Sequence, residues 1–161
     1  MTIVVMGVSG SGKSTLGSEI ARQIGWKFFD GDDFHPAANI EKMSAGIPLN
    51  DTDREPWLLE LAELMKREPN IVLACSALKE SYRGILKQAG EVEFVFLNPS
   101  SETLQRRLEE SPGHFMKADL LDSQLSTLEP PRDALLMDGL QAPSEMAADI
   151  IKQLGIVDAR T

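Results

Sequence analysis

Eight consecutive residues, Gly7-Val8-Ser9-Gly10-Ser11-Gly12-Lys13-Ser14, satisfy G-x-x-x-x-G-K-[ST] at every fixed position. Their types suit one kind of ligand, a string of phosphates. Glycines let the backbone curl with several N–H groups pointing inward, and they leave no Cβ to crowd a phosphate oxygen. The ammonium of Lys13 would reach β- and γ-phosphates, and the Ser14 hydroxyl would bind Mg2+. Gly7, Val8, Ser9, Gly10, Ser11, Gly12, Lys13, Ser14 and Thr15 are therefore read as the nucleotide-binding loop, with Lys13 also catalytic.

A second chemical cluster, Asp30-Gly31-Asp32-Asp33-Phe34-His35-Pro36, follows a short aromatic strand, Trp26-Lys27-Phe28-Phe29. In open α/β sheets, ligands sit beyond the carboxyl ends of strands. Three carboxylates and a histidine thus arrive on the side where the glycine loop holds phosphates. The plainer reading is an acidic turn that starts the helix at Pro36. Arg54 lies at the mouth of a later helix, where an isolated arginine is usually a surface cation. Lys79 and Arg83 are four apart and so share a helix face. Alone they would be a solvated basic face, but their place just past a central strand points to anion binding.

The flanking elements have the order the loop requires. Thr2-Ile3-Val4-Val5-Met6 reads as a buried strand, and Leu16, Ile20 and Ile24 recur at helical spacing up to Gly25. A short helix over 36–46 carries Asn39, Ile40 and Met43. The next helix is expected to open near Asp53, with Pro56 in its first turn and Trp57, Leu58, Leu61 and Met65 buried. Ile71 to Cys75 reads as a central parallel strand and Val92 to Leu97 as a fourth. A helix over 103–110, a leucine-spaced segment from Leu120 to Leu128, a strand over 134–137 and a helix over 143–154 complete the chain. Five strands alternating with helices predict a single α/β domain with a parallel sheet and right-handed crossovers.

Composition narrows the function classes. A chain of 161 residues is expected to form one domain, and its 42% hydrophobic content suits a globular core. A formal net charge of −9 argues against a nucleic-acid surface, yet not against an anionic substrate held by a few placed cations. The single cysteine, Cys75, excludes an internal disulfide framework and is read as a core residue. No apolar run is long enough to span a membrane, so a cytoplasmic protein is expected. His114, taken alone, is read as structural.

Beyond the loop, the sequence resembles the gluconate kinase (gluconokinase) family. The resemblance rests on Asp30-Gly31-Asp32, His35-Pro36, Asn39-Ile40, and Gly46-x-Pro48-Leu49-x-Asp51-x-Asp53-Arg54-x-Pro56-Trp57-Leu58. Cys75-Ser76-Ala77-Leu78-Lys79-x-x-Tyr82-Arg83 and Gly113-His114-Phe115-Met116 through Pro130 extend it over most of residues 3–131. It implies an adenylate-kinase-like P-loop fold with sheet order 2-3-1-4-5, a substrate-binding helical insert at about 36–68 and a lid at about 109–128. It implies ATP- and Mg2+-dependent phosphorylation of D-gluconate to 6-phospho-D-gluconate, by a homodimer.

In that scheme Ser14 and Asp30 attend to Mg2+, and Asp32 accepts the hydroxyl proton. Asp32, His35, Arg54, Lys79, Arg83 and Gln124 bind gluconate, and Arg107 stacks on adenine. The chain departs from the family pattern at Ser111, where an arginine is usual, so Lys117 or Arg106 is expected to supply the lid cation. Further departures at Gly84, Lys87 and Ala134 touch packing or charge pairing rather than chemistry. Rival readings are a P-loop kinase for another hydroxy acid such as shikimate, and a non-catalytic ATP-binding module. A GTPase would need an N-K-x-D motif, which is missing.

Overall fold

In the computed structural model, residues 1–110 and 114–157 are described, with 114–117 described by backbone alone. The first strand, β1 (Thr2–Met6), lies at the centre of a five-stranded sheet. The others are β2 (Lys27–Asp30), β3 (Ile71–Ala74), β4 (Val92–Leu97) and β5 (Leu135–Met137). The order is β2-β3-β1-β4-β5 and every pairing is parallel. This is the order that the family resemblance implied. The helices are α1 (Lys13–Ile24), α2 (Ala37–Ser44), α3 (Asp51–Arg67), α4 (Glu80–Lys87), α5 (Ser101–Glu109), α6 (His114–Thr127) and α7 (Pro143–Leu154).

Alternation along β1 builds two cores. Ile3 and Val5 face one side of the sheet, against Leu16 and Ile20 of α1 and Ile150 of α7. Val4 and Met6 face the other, against Trp57, Leu58 and Leu61 of α3 and Leu86 of α4. Period-two alternation in a strand covered on both faces forces this division. Each fully buried leucine or isoleucine contributes roughly 1.5–3 kcal/mol of transfer free energy. Cys75 is fully buried in the second core, and burial pushes its thiol up to about 12. It is an inert packing residue.

Two differences from the sequence expectation bear directly on the site. Helix α3 starts at Asp51, not near Asp53, so Pro56 falls inside it. The cause is a capping box: the Asn50 side chain accepts from the Asp53 amide at 2.8 Å, and Asp53 accepts from the Asn50 amide at 3.0 Å. Helix α2 buries Asn39 at 3% exposure and leaves Ile40 49% exposed, the reverse of a simple apolar stripe.

The chain leaves β1 for β2 on one side and later crosses from β3 to β4 on the other. That reversal opens a crevice beyond the carboxyl end of β1, and the glycine loop fills it.

Candidate active site

The glycine loop leads directly into α1, whose N-cap Gly12 has φ 94°. L-residues with a side chain rarely adopt that angle, which explains glycine at this position. The arrangement aims the positive end of α1 at the loop.

At the end of β2 the chain folds into a 3-10 turn, Gly31–Phe34, capped by Asp30. The Asp30 carboxylate accepts from the Asp32 amide through Oδ1 at 3.0 Å and from the Ser14 hydroxyl through Oδ2 at 2.8 Å. Asp30 therefore caps the 3-10 turn, not the helix after Pro36 as the plainer reading has it, and it is also a partner of the P-loop. Gly31 sits where an added Cβ would lie 2.7 Å from the Ala74 carbonyl, so only glycine lets β2 turn this close to β3. Ser14 and Asp30 offer adjacent hard oxygens. One hydroxyl and one carboxylate, completed by phosphates and water, is the kind of set Mg2+ takes. Among the described residues no cluster of three His, Cys, Asp or Glu side chains forms a closed metal cage.

Lys13, Asp32, His35, Arg54 and Gln124 converge on one cavity beside the loop, together with Trp57 and Ser76. They come from the P-loop, the 3-10 turn, α3 and α6, which no local pattern joins. His35 is stacked on Trp57 with ring centroids 4.1 Å apart and planes 17° apart. Trp57 is held in turn by its indole N–H, which donates to the Gly31 carbonyl at 2.7 Å. His35 Nε2 lies 3.7 Å from Asp32 Oδ1. The approach of this imidazole, reinforced by the Lys13 ammonium, holds the Asp32 carboxyl below its usual range. Asp32 is thus ionised at neutral pH.

Arg54 is buried at 6% exposure, where the sequence suggested a surface cation. Its Nη1 donates to the Tyr82 hydroxyl at 3.0 Å, and that hydroxyl donates to Asp51. Lys79 also donates to Asp51, at 3.0 Å. Hydrogen bonds from Tyr82 and Lys79 hold the Asp51 carboxyl below its usual range, while burial and Asp51 raise the Tyr82 phenol. The chain of contacts Lys79–Asp51–Tyr82–Arg54 ties α4 to the start of α3 and aims Arg54 at the cavity.

Two expected substrate cations are placed elsewhere. Lys79 does not line this cavity; it stands at the N-cap of α4 with Asp51. Arg83 is buried and donates to the carbonyls of Ala77 at 2.7 Å and Glu129 at 2.8 Å. Ala77 has φ 45°, a strained value for alanine, so Arg83 clamps the bend that carries Ser76 into the cavity. The two cations share a sequence spacing but not a helix face, because α4 begins only at Glu80.

On the other side of the loop, a cavity of about 460 Å³ is lined by Gly12, Thr15, Leu104, Arg107, Leu108 and Pro143, among others. Its apolar walls and size suit a nucleoside. Arg107 Nη1 donates to the Gly10 and Ser11 carbonyls, both at 2.9 Å. Arg107 thereby braces the P-loop from α5 rather than merely offering a stacking plane. Ser111 lies outside the described residues, as do the side chains of His114 and Lys117. Arg106 is exposed on α5. Reasoning from the sequence missed the positioning residues Asn39, Trp57, Tyr82 and Asp51. The capping pattern Asn50-x-x-Asp53 was visible, and it would have placed Asp51 in the first turn.

This fold and site define a P-loop kinase of small molecules. The shikimate kinase family profile matches residues 9–153. A probable gluconokinase of Xenopus tropicalis is 47% identical over 98% of the chain and 89% of its own length. The gluconokinase of Gluconobacter oxydans is 44% identical over 97% of the chain and 92% of its length. A crystal structure of a sugar kinase from Janibacter superposes with a TM-score of 0.91 at 40% identity, covering 98% of this chain and 96% of that one. The chain belongs to the gluconokinase family, within the shikimate-kinase-like P-loop kinases.

Proposed function

We propose that the protein transfers the γ-phosphoryl group of ATP to D-gluconate, forming 6-phospho-D-gluconate and ADP. The observation that carries this reading is the convergence of Lys13, Asp32, His35, Arg54 and Gln124 beside the glycine loop. The gluconokinase names of the relatives support the choice of acceptor.

Each residue has a task that its position supports. The loop amides and Lys13 bind the nucleotide phosphates, and Lys13 neutralises charge on the transferring group. Ser14 and Asp30 would hold Mg2+, which when bound offsets the charge of the phosphate oxygens. Arg54 pairs with the gluconate carboxylate, its guanidinium steered by Tyr82. Asp32, kept ionised, takes the proton from the attacking hydroxyl as that oxygen bonds to phosphorus and the bond to the β-phosphate breaks. Since little covalent work falls to the protein, orientation and charge neutralisation supply most of the rate.

The reading includes an acceptor insert at about 36–68, a lid at about 109–128 and a cytoplasmic homodimer with neither nucleic-acid nor membrane partners. Among the described residues no helix is long and apolar enough to cross a membrane. The profile match favours one further reading, a kinase of another hydroxy acid such as shikimate. Coupled ADP release with ATP and each acid in turn tests both. Turnover that depends on D-gluconate is expected. Turnover with shikimate and none with gluconate would replace the proposal.

A further inference from the structure

Helix α2 turns Asn39 inward beside His35 while its neighbour Ile40 stays half exposed. The side-chain nitrogen of Asn39 lies 2.9 Å from the Asp53 carbonyl and 3.2 Å from His35 Nδ1. A carbonyl only accepts, so the amide must present its NH2 there. That group has two hydrogens, and the second points to His35 Nδ1. An imidazole nitrogen can accept only when it is bare.

We propose that Asn39 locks His35 in the neutral tautomer with its proton on Nε2, so that His35 serves the acceptor as a hydrogen-bond donor and not as a base. The division of roles rests on the cavity being the acceptor site; the tautomer does not.

The surroundings leave the ring little choice. The His35 side chain is 3% exposed and Asn39 is equally buried, so bulk solvent has little access to an Nδ1–H. Either the other tautomer or an imidazolium would set N–H against N–H. Stacking on Trp57, itself pinned to Gly31, keeps the ring in its plane. Asp53 is also fixed: its backbone holds Asn39, and its carboxylate holds Lys42 at 2.9 Å and the N-cap of α3. With the proton on Nε2, a donor faces Asp32 Oδ1 across 3.7 Å. That gap is too long for a good direct hydrogen bond. A hydroxyl oxygen set beside the pair can accept from Nε2–H and donate to Asp32. A hydroxyl does both at once, whereas a ketone or ether oxygen satisfies only one partner.

The test uses the 161-residue chain labelled with 15N, which contains two histidines. A His114→Gln sample identifies the other ring. At mildly alkaline pH the His35 pattern is expected to show a bare Nδ1 and a protonated Nε2. A protonated Nδ1 in the wild-type protein would overturn the proposal. Asn39→Asp places an acceptor beside Nδ1 and is expected to move the proton there, with KM for gluconate rising about tenfold, the usual worth of one hydrogen bond. KM for ATP should stay within about twofold of wild type, the scatter of context-dependent contacts. His35→Gln, whose amide nitrogen reaches toward the Nε2 position, should retain more gluconate affinity than His35→Asn. Equal or reversed order would remove the donor role. An Nε2–H tautomer in a protein that ignores gluconate would keep the lock and overturn the acceptor assignment instead.

Discussion

The backbone amide of Ser9 donates to Gln124 Oε1 across 2.6 Å, joining the P-loop to α6 over 115 residues of sequence. Gln124 also lines the cavity proposed for the acceptor. One side chain thus touches both the glycine loop and that cavity. Gln124→Leu is expected to raise KM for both ATP and gluconate. Gln124→Glu keeps an acceptor for Ser9 but sets a charge against the phosphates, so its kcat should fall further. Initial rates with each substrate varied in turn would decide this, and a change confined to one KM would separate the two contacts.

Lys13→Ala should abolish turnover while leaving the thermal unfolding midpoint near that of wild type. Lys13 lies at the cavity rather than in either core, so charge neutralisation is what its removal takes away. A variant with near-wild-type rate would exclude the loop from the chemistry.

Asp32→Asn should lower kcat by about 10²–10⁴-fold, the range for a lost general base, with ATP binding little changed. The carboxyl of Asp32 is held below its ordinary range, first by His35. The ionised, proton-accepting form is therefore favoured in the folded protein. It persists to lower pH than a free aspartate would allow, and activity falls only as pH drops through the lowered folded value. Stability from the same contacts is present above the unfolded value and is lost in the same direction. A pH–rate profile should place the acid limb below the ordinary carboxylate range, and His35→Ala should move that limb upward.

Tyr82→Phe removes the hydroxyl that links Arg54 to Asp51 without emptying the core. KM for gluconate should rise several-fold and KM for ATP should hold, since Arg54 keeps its charge but loses its aim. An unchanged KM for gluconate would show that packing alone positions the guanidinium.

Arg83→Ala is expected to act on stability rather than on gluconate affinity. The buried Ala77 carbonyl loses a charged donor, at about 1.5–3 kcal/mol, and the partly buried Glu129 carbonyl loses another that counts for less. Denaturant unfolding should show the loss, and a larger effect on KM than on the midpoint would return Arg83 to the substrate.

Much of this protein is written locally. The P-loop is legible because phosphate binding by backbone amides needs particular glycines and a lysine in consecutive positions. The strands are legible because a sheet covered on both faces needs unbroken apolar runs such as Ile71–Ala74. Helix α7 is bounded by Pro143 and Gly155, each set by its own backbone preference. The acidic turn after β2 could be placed near the phosphates by strand direction alone.

Which cations face the cavity proposed for the acceptor was decided only in three dimensions. Lys79 and Arg83 carry the same charge as Arg54 and stand in equally suggestive positions. Their direction depends on where α4 begins, on the strained bend at Ala77 and on carbonyls contributed by Glu129, 46 residues from Arg83. Arg54 points inward because Tyr82, 28 residues away, receives it. A side chain's charge is a property of its residue type, but its aim is a property of the partners that surround it, and distant segments supply those partners only once the sheet has assembled.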